Sequence, residues 1–248
     1  MKTVIVVPTY NERENLPELA QALHFNVPHA HLMIVDDGSP DGTGEIADDI
    51  AAARPGEVTV LHRAGKQGLG TAYVAGFRKA LELGYERIVQ MDCDFSHDPA
   101  TVPKLLAALD EGEGCDLVLG SRYVPGGGTV NWGLVRKIIS RGGSAYARAV
   151  LGVDYRDLTG GFKAWRRETL LGIPLDRVAA QGYCFQIEMT YRVHRQGKRI
   201  RESPITFIDR RVGQSKMSKK IVFEAVTRCW QLRSIGNEAP VAEAAGST

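Results

Sequence analysis

The chain has 248 residues, 44% apolar and 24% charged, an ordinary globular composition that excludes a largely disordered protein. Its 31 Lys and Arg nearly cancel 29 Asp and Glu, and a net charge of +2 argues against nucleic acid as a partner. Nowhere do the ~18 consecutive apolar residues of a membrane-crossing helix occur, and Val4–Val7 is too short for a signal-peptide core and runs into Pro8.

In chain order, Thr3–Val7, Leu32–Val35, Val58–Leu61, Arg87–Met91 and Asp116–Leu119 are short runs rich in β-branched residues, predicting strands buried on both faces. Helical spacing fills the intervals Asn15–His24, Gly42–Ala53, Gly68–Leu83 and Pro99–Leu109, with Asp41 and Asp98 as expected N-caps and Gly84 as a C-terminal stop. Repeated strand–helix–strand units predict an α/β fold: a mostly parallel sheet covered by helices. Beyond Gly120 the alternation breaks. Pro125–Gly128 reads as a loop, Gly133–Leu151 as a helix, Phe162–Arg166 as a strand, Gly182–Gln196 as a helix, Lys198–Ile208 as a strand and Ser218–Ile235 as a final amphipathic helix. The expected organisation is one catalytic domain over residues 1–235 and a loose tail over 236–248. Four scattered cysteines, with no C-x-x-C pair, predict reduced thiols in a cytoplasmic protein.

Ligands of such sheets bind at the carboxyl ends of the strands. Tyr10 and Glu12 follow the first strand, Asp36-Asp37-Gly38-Ser39 the second, Asp92-Cys93-Asp94 the fourth and Gly120-Ser121-Arg122-Tyr123 the fifth. Acids from distant segments thus gather on one sheet edge. In an extended segment, residues two apart point the same way, so Asp92 and Asp94 can hold Mg²⁺ or Mn²⁺, with a diphosphate supplying further oxygens; the competing reading is a solvated turn with Asp as an N-cap. Asp36-Asp37 reads either as a turn before Gly38 or as an acceptor for a nucleoside. Gly65-Lys66-Gln67-Gly68-Leu69-Gly70 matches neither phosphate-loop nor dinucleotide fingerprint, and no histidine has metal-ligand spacing.

Val7-Pro8-Thr9-Tyr10-Asn11-Glu12, Val35-Asp36-Asp37-Gly38-Ser39, Met91-Asp92-Cys93-Asp94 and Gly120-Ser121-Arg122-Tyr123 together resemble the GT-A family-two glycosyltransferases. Asp157-Leu158-Thr159-Gly160-Gly161-Phe162-Lys163, Phe207-Ile208-Asp209-Arg210 and Gly213-Gln214-Ser215-Lys216 are similar to the dolichyl- or polyprenyl-phosphate mannose synthase branch, in its short form without transmembrane helices. The resemblance spans about residues 3–235. It implies transfer of mannose from GDP-mannose to a polyprenyl monophosphate with inversion, giving the lipid-linked donor for later glycosylation. It also implies that Pro8, Tyr10, Glu12, Val35 and Asp37 line the guanosine pocket, and that Asp92 and Asp94 hold the metal beside the Cys93 backbone. Ser96 stands where some members carry a Gln metal ligand, which leaves its own coordination in doubt. Arg210 and Lys216 would close over the donor phosphates, and Arg122, Arg136 and Ser140 would bind the acceptor phosphate, with Trp132, Arg136 and Ser140 at helical spacing. Asp94, Arg122, Arg210 and Lys216 are the implied catalytic set.

A lipid monophosphate with a second pKa near ~6 is already largely dianionic, so it needs cationic clamps more than a general base. The alternative within the fold is a transferase that uses a UDP-sugar to make a polyprenyl-phosphate glucose. A sugar-1-phosphate nucleotidyltransferase would place a glycine-rich, Arg- and Lys-containing loop after the first strand, where this chain has Pro8–Glu12. A non-catalytic lipid- or partner-binding module is disfavoured by the intact acid set.

From Arg195 to Arg233, eleven basic residues face three acids. With Ile221, Val222, Phe223, Val226, Trp230 and Leu232 interleaved, the final helix suits anionic lipid headgroups; a solvated charged face is the competing reading. Ile138, Ile139, Tyr146, Val150 and Leu151, beside Arg136, Lys137 and Arg141, are a second candidate contact. The expected location is the cytoplasmic face of a membrane, reached by peripheral attachment or through an integral-membrane anchoring subunit.

Overall fold

The computed structural model describes residues 1–178, 182–209 and 227–233. Its elements are β1 (Thr3–Thr9), α1 (Leu16–Asn26), β2 (Ala30–Asp36), α2 (Thr43–Ala53), β3 (Val58–His62), α3 (Leu69–Glu82), β4 (Arg87–Gln90) and α4 (Val102–Asp110). They continue with β5 (Leu117–Ser121), β6 (Gly128–Val130), α5 (Leu134–Leu151), β7 (Lys163–Arg166), α6 (Arg167–Leu171), α7 (Gly182–Arg195), β8 (Ile200–Pro204) and β9 (Thr206–Ile208).

A seven-stranded sheet runs β3-β2-β1-β4-β7-β5-β8, parallel throughout except for β7, which is antiparallel to both neighbours. The expected mostly parallel sheet is therefore present. Strand β1 is wholly buried and its side chains alternate between two cores, as the two-residue period requires. Ile5 and Val7 join Leu16, Leu19 and Leu23 of α1 and Leu105 of α4, whereas Val4 and Val6 join Tyr73 and Phe77 of α3 and Phe185 of α7. The approach of α3 to the sheet is close. A Cβ on Gly76 would lie 2.4 Å from a methyl of Val6 and 3.1 Å from one of Val35.

Pro8 is tolerated in a central strand for a topological reason. Val6 O accepts from Met91 N and Thr9 O from Asp37 N, so even-numbered backbone groups face β4 and odd-numbered ones face β2. The pairing of β1 with β4 ends at Val6–Gln90, and the missing N–H of Pro8 falls beyond it.

Asp98 caps as expected, accepting from Ala100 N at the 3₁₀ turn before α4. Asp41 is not the N-cap of α2: that position is Gly42, at φ +89°, and Asp41 stands one residue before it, accepting both the N–H and the hydroxyl of Thr43. Gly84, at φ +73°, ends α3 with the paired Gly84–Leu81 and Tyr85–Ala80 hydrogen bonds of a Schellman turn.

The second half departs from expectation in three places. The run Lys198–Ile208 is two strands: β8 pairs with β5, and after Ile205 the chain leaves the main sheet as β9 to pair with β6. The Pro125–Gly128 loop runs directly into β6, whose polar, glycine-led sequence has no strand signature. Of the final helix only 227–233 is described; there Cys229 and Leu232 are buried against α5 and α7, so Leu232 is a core residue, and Trp230 is 55% exposed. The remainder of 218–235 and the tail lie outside the described residues.

Candidate active site

The strand order reverses between β1 and β4, and the carboxyl ends of β1, β2 and β4 meet there. The turn reading of Asp36-Asp37 holds for Asp36. Asp36 builds the turn: its carboxylate accepts from the Thr9 hydroxyl (3.0 Å), the Ser39 hydroxyl (2.6 Å) and Ser39 N (3.1 Å). Asp37, itself buried, takes Arg63 Nη1 at 2.5 Å. Burial pushes the Asp37 carboxyl above its ordinary range, against the opposing charge of Arg63. The second amino group of Arg63 reaches Gln67 Oε1 (3.1 Å) and the Thr71 hydroxyl (2.8 Å), tying the loop before α3 to β2. Gly38, at φ +64°, lets this loop approach, since a Cβ there would lie 3.2 Å from Gly65 Cα. Lys66 Nζ sits 3.9 Å above the Tyr10 ring. Glu12 is positioned by Thr43 Oγ1 on its N–H (3.0 Å) and by Asn15 Nδ2 on its carboxylate (2.8 Å). Val35 points its side chain into the core and the whole residue is 0% exposed, so it presents no surface to a ligand and does not line the site as expected.

Strand β4 ends at Gln90, so the extended geometry expected to align Asp92 with Asp94 is absent. Both acids lie instead in a turn in which Phe95 takes a left-handed φ of +57°. Their charges nevertheless converge on the same neighbours. Burial, and then Glu12, Asp94 and Asp92, push the Cys93 thiol well above its ordinary value, leaving an inert thiol amid negative potential. Asp92 Oδ1 accepts from the Tyr73 hydroxyl at 2.6 Å, and burial followed by the charge of Asp92 keeps that phenol protonated. Asp94 Oδ1 accepts from Ser96 N at 3.1 Å, so Ser96 acts on this acid through its backbone. His97, wholly buried, stacks on Phe162 with ring centroids 4.9 Å apart and accepts the Asp92 N–H on Nδ1. Burial depresses its pKa, so it serves as a neutral scaffold.

The acceptor candidates form a second cluster, in which Arg122 is 4% exposed. Its Nε and Nη2 grip the two oxygens of Asp157, each at 2.7 Å, and Nη2 also reaches Thr159 Oγ1 at 2.8 Å. Burial alone would raise the Asp157 carboxyl, but Arg122 outweighs it and holds the group below its usual range. Arg136 reaches Asp209 at 2.6 Å and lies 4.1 Å over the Trp132 ring, while Ser140 Oγ accepts from the Tyr123 hydroxyl at 2.7 Å. Trp132 precedes α5, so the expected helical register of Trp132 with Arg136 is not how they meet. Arg210 and Lys216 lie outside the described residues.

The sequence model of Glycosyl transferase family 2 matches residues 4–171, well over half of the chain. The chain is a family 2 glycosyltransferase. The transferase is 47% identical over 234 residues to the polyprenol monophosphomannose synthase of Mycolicibacterium smegmatis, covering 94% of this chain and 88% of that one. It is 52% identical over 226 residues to the undecaprenyl-phosphate mannosyltransferase of Micrococcus luteus, covering 91% of each. Among solved structures, glucosyl-3-phosphoglycerate synthase of Mycobacterium tuberculosis, with Mn²⁺, UDP-glucose and phosphoglyceric acid, superposes with a TM-score of 0.69 at 20% identity. That match covers 94% of the transferase and 79% of the other chain, and it supports the fold.

Two residues that touch the candidate site residues carry no motif signal. Arg63 stands just past the carboxyl end of β3. Tyr73 reads as a core aromatic of α3, and nothing in its spacing announces a hydroxyl aimed at Asp92. Val150 and Leu151 are buried and Tyr146 packs beside them, so these belong to the core. Ile138 and Ile139 are exposed at 62% and 40%, next to Leu134 and Val135 at 72% and 71%. Lys198, Arg199 and Arg201 are paired with Asp116, Glu113 and Glu111, so part of the basic surplus is a charged protein face. No helix among the described residues is long and apolar enough to cross a membrane.

Proposed function

We propose that the transferase moves mannose from GDP-mannose to the phosphate of a polyprenyl monophosphate, with inversion at the sugar carbon. The observation that carries this reading is the 47% and 52% identity, over more than nine-tenths of the chain, to two proteins named for that class of product. The donor's nucleoside would enter between Tyr10 and the Asp37–Arg63 pair, and its diphosphate would lie toward Asp92 and Asp94.

The donor set suits a divalent ion of the Mg²⁺ or Mn²⁺ type. Among the described residues no group of three or more His, Cys, Asp or Glu is placed to hold a metal, so Asp92 and Asp94 would offer two carboxylates and leave the remaining positions to phosphate oxygens and water. Such an ion neutralises charge building on the leaving diphosphate. Tyr73 fixes one oxygen of Asp92, and Ser96 N fixes one of Asp94. The acceptor enters as a dianion and attacks through its own oxygen, so no base is required; the neutral, buried His97 is consistent with that. Arg136 and Ser140, with Arg122 behind them, would hold the acceptor phosphate, and Arg210 and Lys216 would cover the donor. The exposed apolar face of α5 would dip into the bilayer that carries the acceptor.

Purified protein incubated with labelled GDP-mannose, Mn²⁺ and a short-chain polyprenyl phosphate should yield a labelled, mild-acid-labile lipid. Turnover with UDP-glucose and none with GDP-mannose would replace this reading with the glucosyl alternative. Asp94→Ala should reduce transfer by more than a thousandfold, roughly 4 kcal/mol of barrier, and retention of the full rate would remove Asp94 from the metal site.

A further inference from the structure

A cavity of about 420 Å³ opens beside the acceptor cluster without including it, lined by Tyr123, Arg141, Ala145, Arg148, Asp154 and Arg156. On α5, Arg141, Ala145 and Arg148 are spaced by four and three residues, so they share one stripe of the helix. The methyl of Ala145 leaves the gap between two arginines open. Arg136 and Ser140 lie on another side of α5, and the Tyr123 hydroxyl, bound to Ser140, forms the partition.

The cavity's charge is unbalanced. Arg148 takes Asp154 at 2.5 Å, and its buried Nε has no hydrogen-bond partner. Arg141 lies 5.4 Å over the Tyr123 ring, and neither it nor Arg156 has an ion pair among the described residues. Among the lining residues three guanidiniums face one carboxylate, around a space large enough for a phosphate ester and its glycerol; Glu202, which accepts the Arg156 N–H at 2.8 Å, is not part of the lining. Guanidiniums present forked donors to phosphate oxygens. The same stripe of α5 carries exposed Leu134 and Ile138, about two turns and one turn before Arg141, or roughly 10 and 5 Å along the helix axis.

We propose that this cavity is a second phosphate site, which holds the headgroup of a bilayer phospholipid while the apolar start of α5 enters the membrane. It rests on the proposed function only in assuming that the enzyme works at a bilayer. The site grips a lipid that is not consumed, and so holds the acceptor cluster at headgroup depth.

The test separates binding from catalysis. Co-sedimentation of the full chain is measured with phosphatidylcholine vesicles, with and without phosphatidylglycerol, for the wild type, Arg156→Gln and Ala145→Trp. Transfer to a short-chain acceptor in detergent is measured in parallel. Arg156→Gln should weaken binding to the anionic vesicles about fivefold, the effect of roughly 1 kcal/mol per basic residue at such a surface. Ala145→Trp removes no charge and fills the cavity, and it should weaken the same binding comparably. Both variants should transfer in detergent at the wild-type rate. Wild-type vesicle binding by Ala145→Trp would overturn the proposal, because charge alone would then account for the attraction. Displacement from vesicles by millimolar inorganic phosphate would overturn the lipid assignment in favour of a free anion. Absence of mannosyl transfer by the wild type, with vesicle binding as expected, would count against the proposed function and leave this site standing.

Discussion

Lys163 gives the sharpest quantitative expectation. It sits on the antiparallel strand β7, is 1% exposed, and donates from Nζ to Gln186 O (2.8 Å) and Thr190 Oγ1 (3.0 Å) of α7. Burial brings its pKa down from 10.5 to about 7, with the charge of Asp157 opposing the fall. A base whose folded pKa lies below its unfolded value binds fewer protons when folded, so stability rises with pH between about 7 and 10.5. At pH 7.5 the cost of holding this amine in the fold is about 4 kcal/mol, and at pH 9.5 about 1–2 kcal/mol. Lys163→Met keeps the length and most of the volume, removes that cost, and forgoes two hydrogen bonds worth about 1 kcal/mol each. Thr190 Oγ1 still donates to Gln186 O, so neither partner is orphaned. The variant should therefore be more stable than the wild type by about 2 kcal/mol at pH 7.5, and equal or slightly weaker at pH 9.5. Urea unfolding curves taken across that range measure the difference directly. Curves that stay parallel, with a constant gap at every pH, would refute the argument.

Three further outcomes test the site. Tyr73→Phe removes the hydroxyl that fixes Asp92 Oδ1 while preserving the ring's stacking on Phe77 and Phe185; Mn²⁺ affinity, read by titration of activity, should fall about 10- to 100-fold. Arg63→Met should raise the donor KM about tenfold, or about 1.4 kcal/mol, with kcat within a few-fold of wild type; an equal fall in kcat would place Arg63 at the reacting phosphates instead. Asp157→Asn leaves the buried Arg122 guanidinium without its counter-charge and should cost about 3–5 kcal/mol of unfolding free energy. A loss below 1 kcal/mol would show that Arg122 finds another partner.

The first half of the fold was readable because its strands are buried on both faces and so are nearly continuous apolar runs, punctuated by caps and glycines that behave as their chemistry requires. Beyond Gly120 that code weakens. Strand β7, Lys-Ala-Trp-Arg, carries two cations in four residues, and its direction is set by where the long α5 excursion returns it between β4 and β5. Strands β6 and β9 are short and half-exposed, and they exist because each supplies the other's partner. The acids at the strand ends were legible as a group, but their orientation was not: Asp92 and Asp94 meet common neighbours through a strained turn at Phe95, which no alternation rule describes. Arg63 was within reach of the rule that directs attention to every strand end. Tyr73 was not, because a phenol inside an apolar helical stripe reads the same whether its hydroxyl is idle or aimed at a carboxylate.

The missing side chain at Gly76 ties the core to the chemistry in a mechanical sense. With a methyl there 2.4 Å from Val6, α3 would have to lift off β1, and Tyr73, nearly one turn earlier on the same helix, would travel with it. The helix thus works as a rigid lever with its fulcrum on the sheet and the hydroxyl that steadies Asp92 on its arm. Substitutions that change the thickness of the interface between α3 and the sheet should therefore be felt first as lost metal affinity, before any loss of the fold becomes measurable. A packing defect in this enzyme would present as a catalytic one.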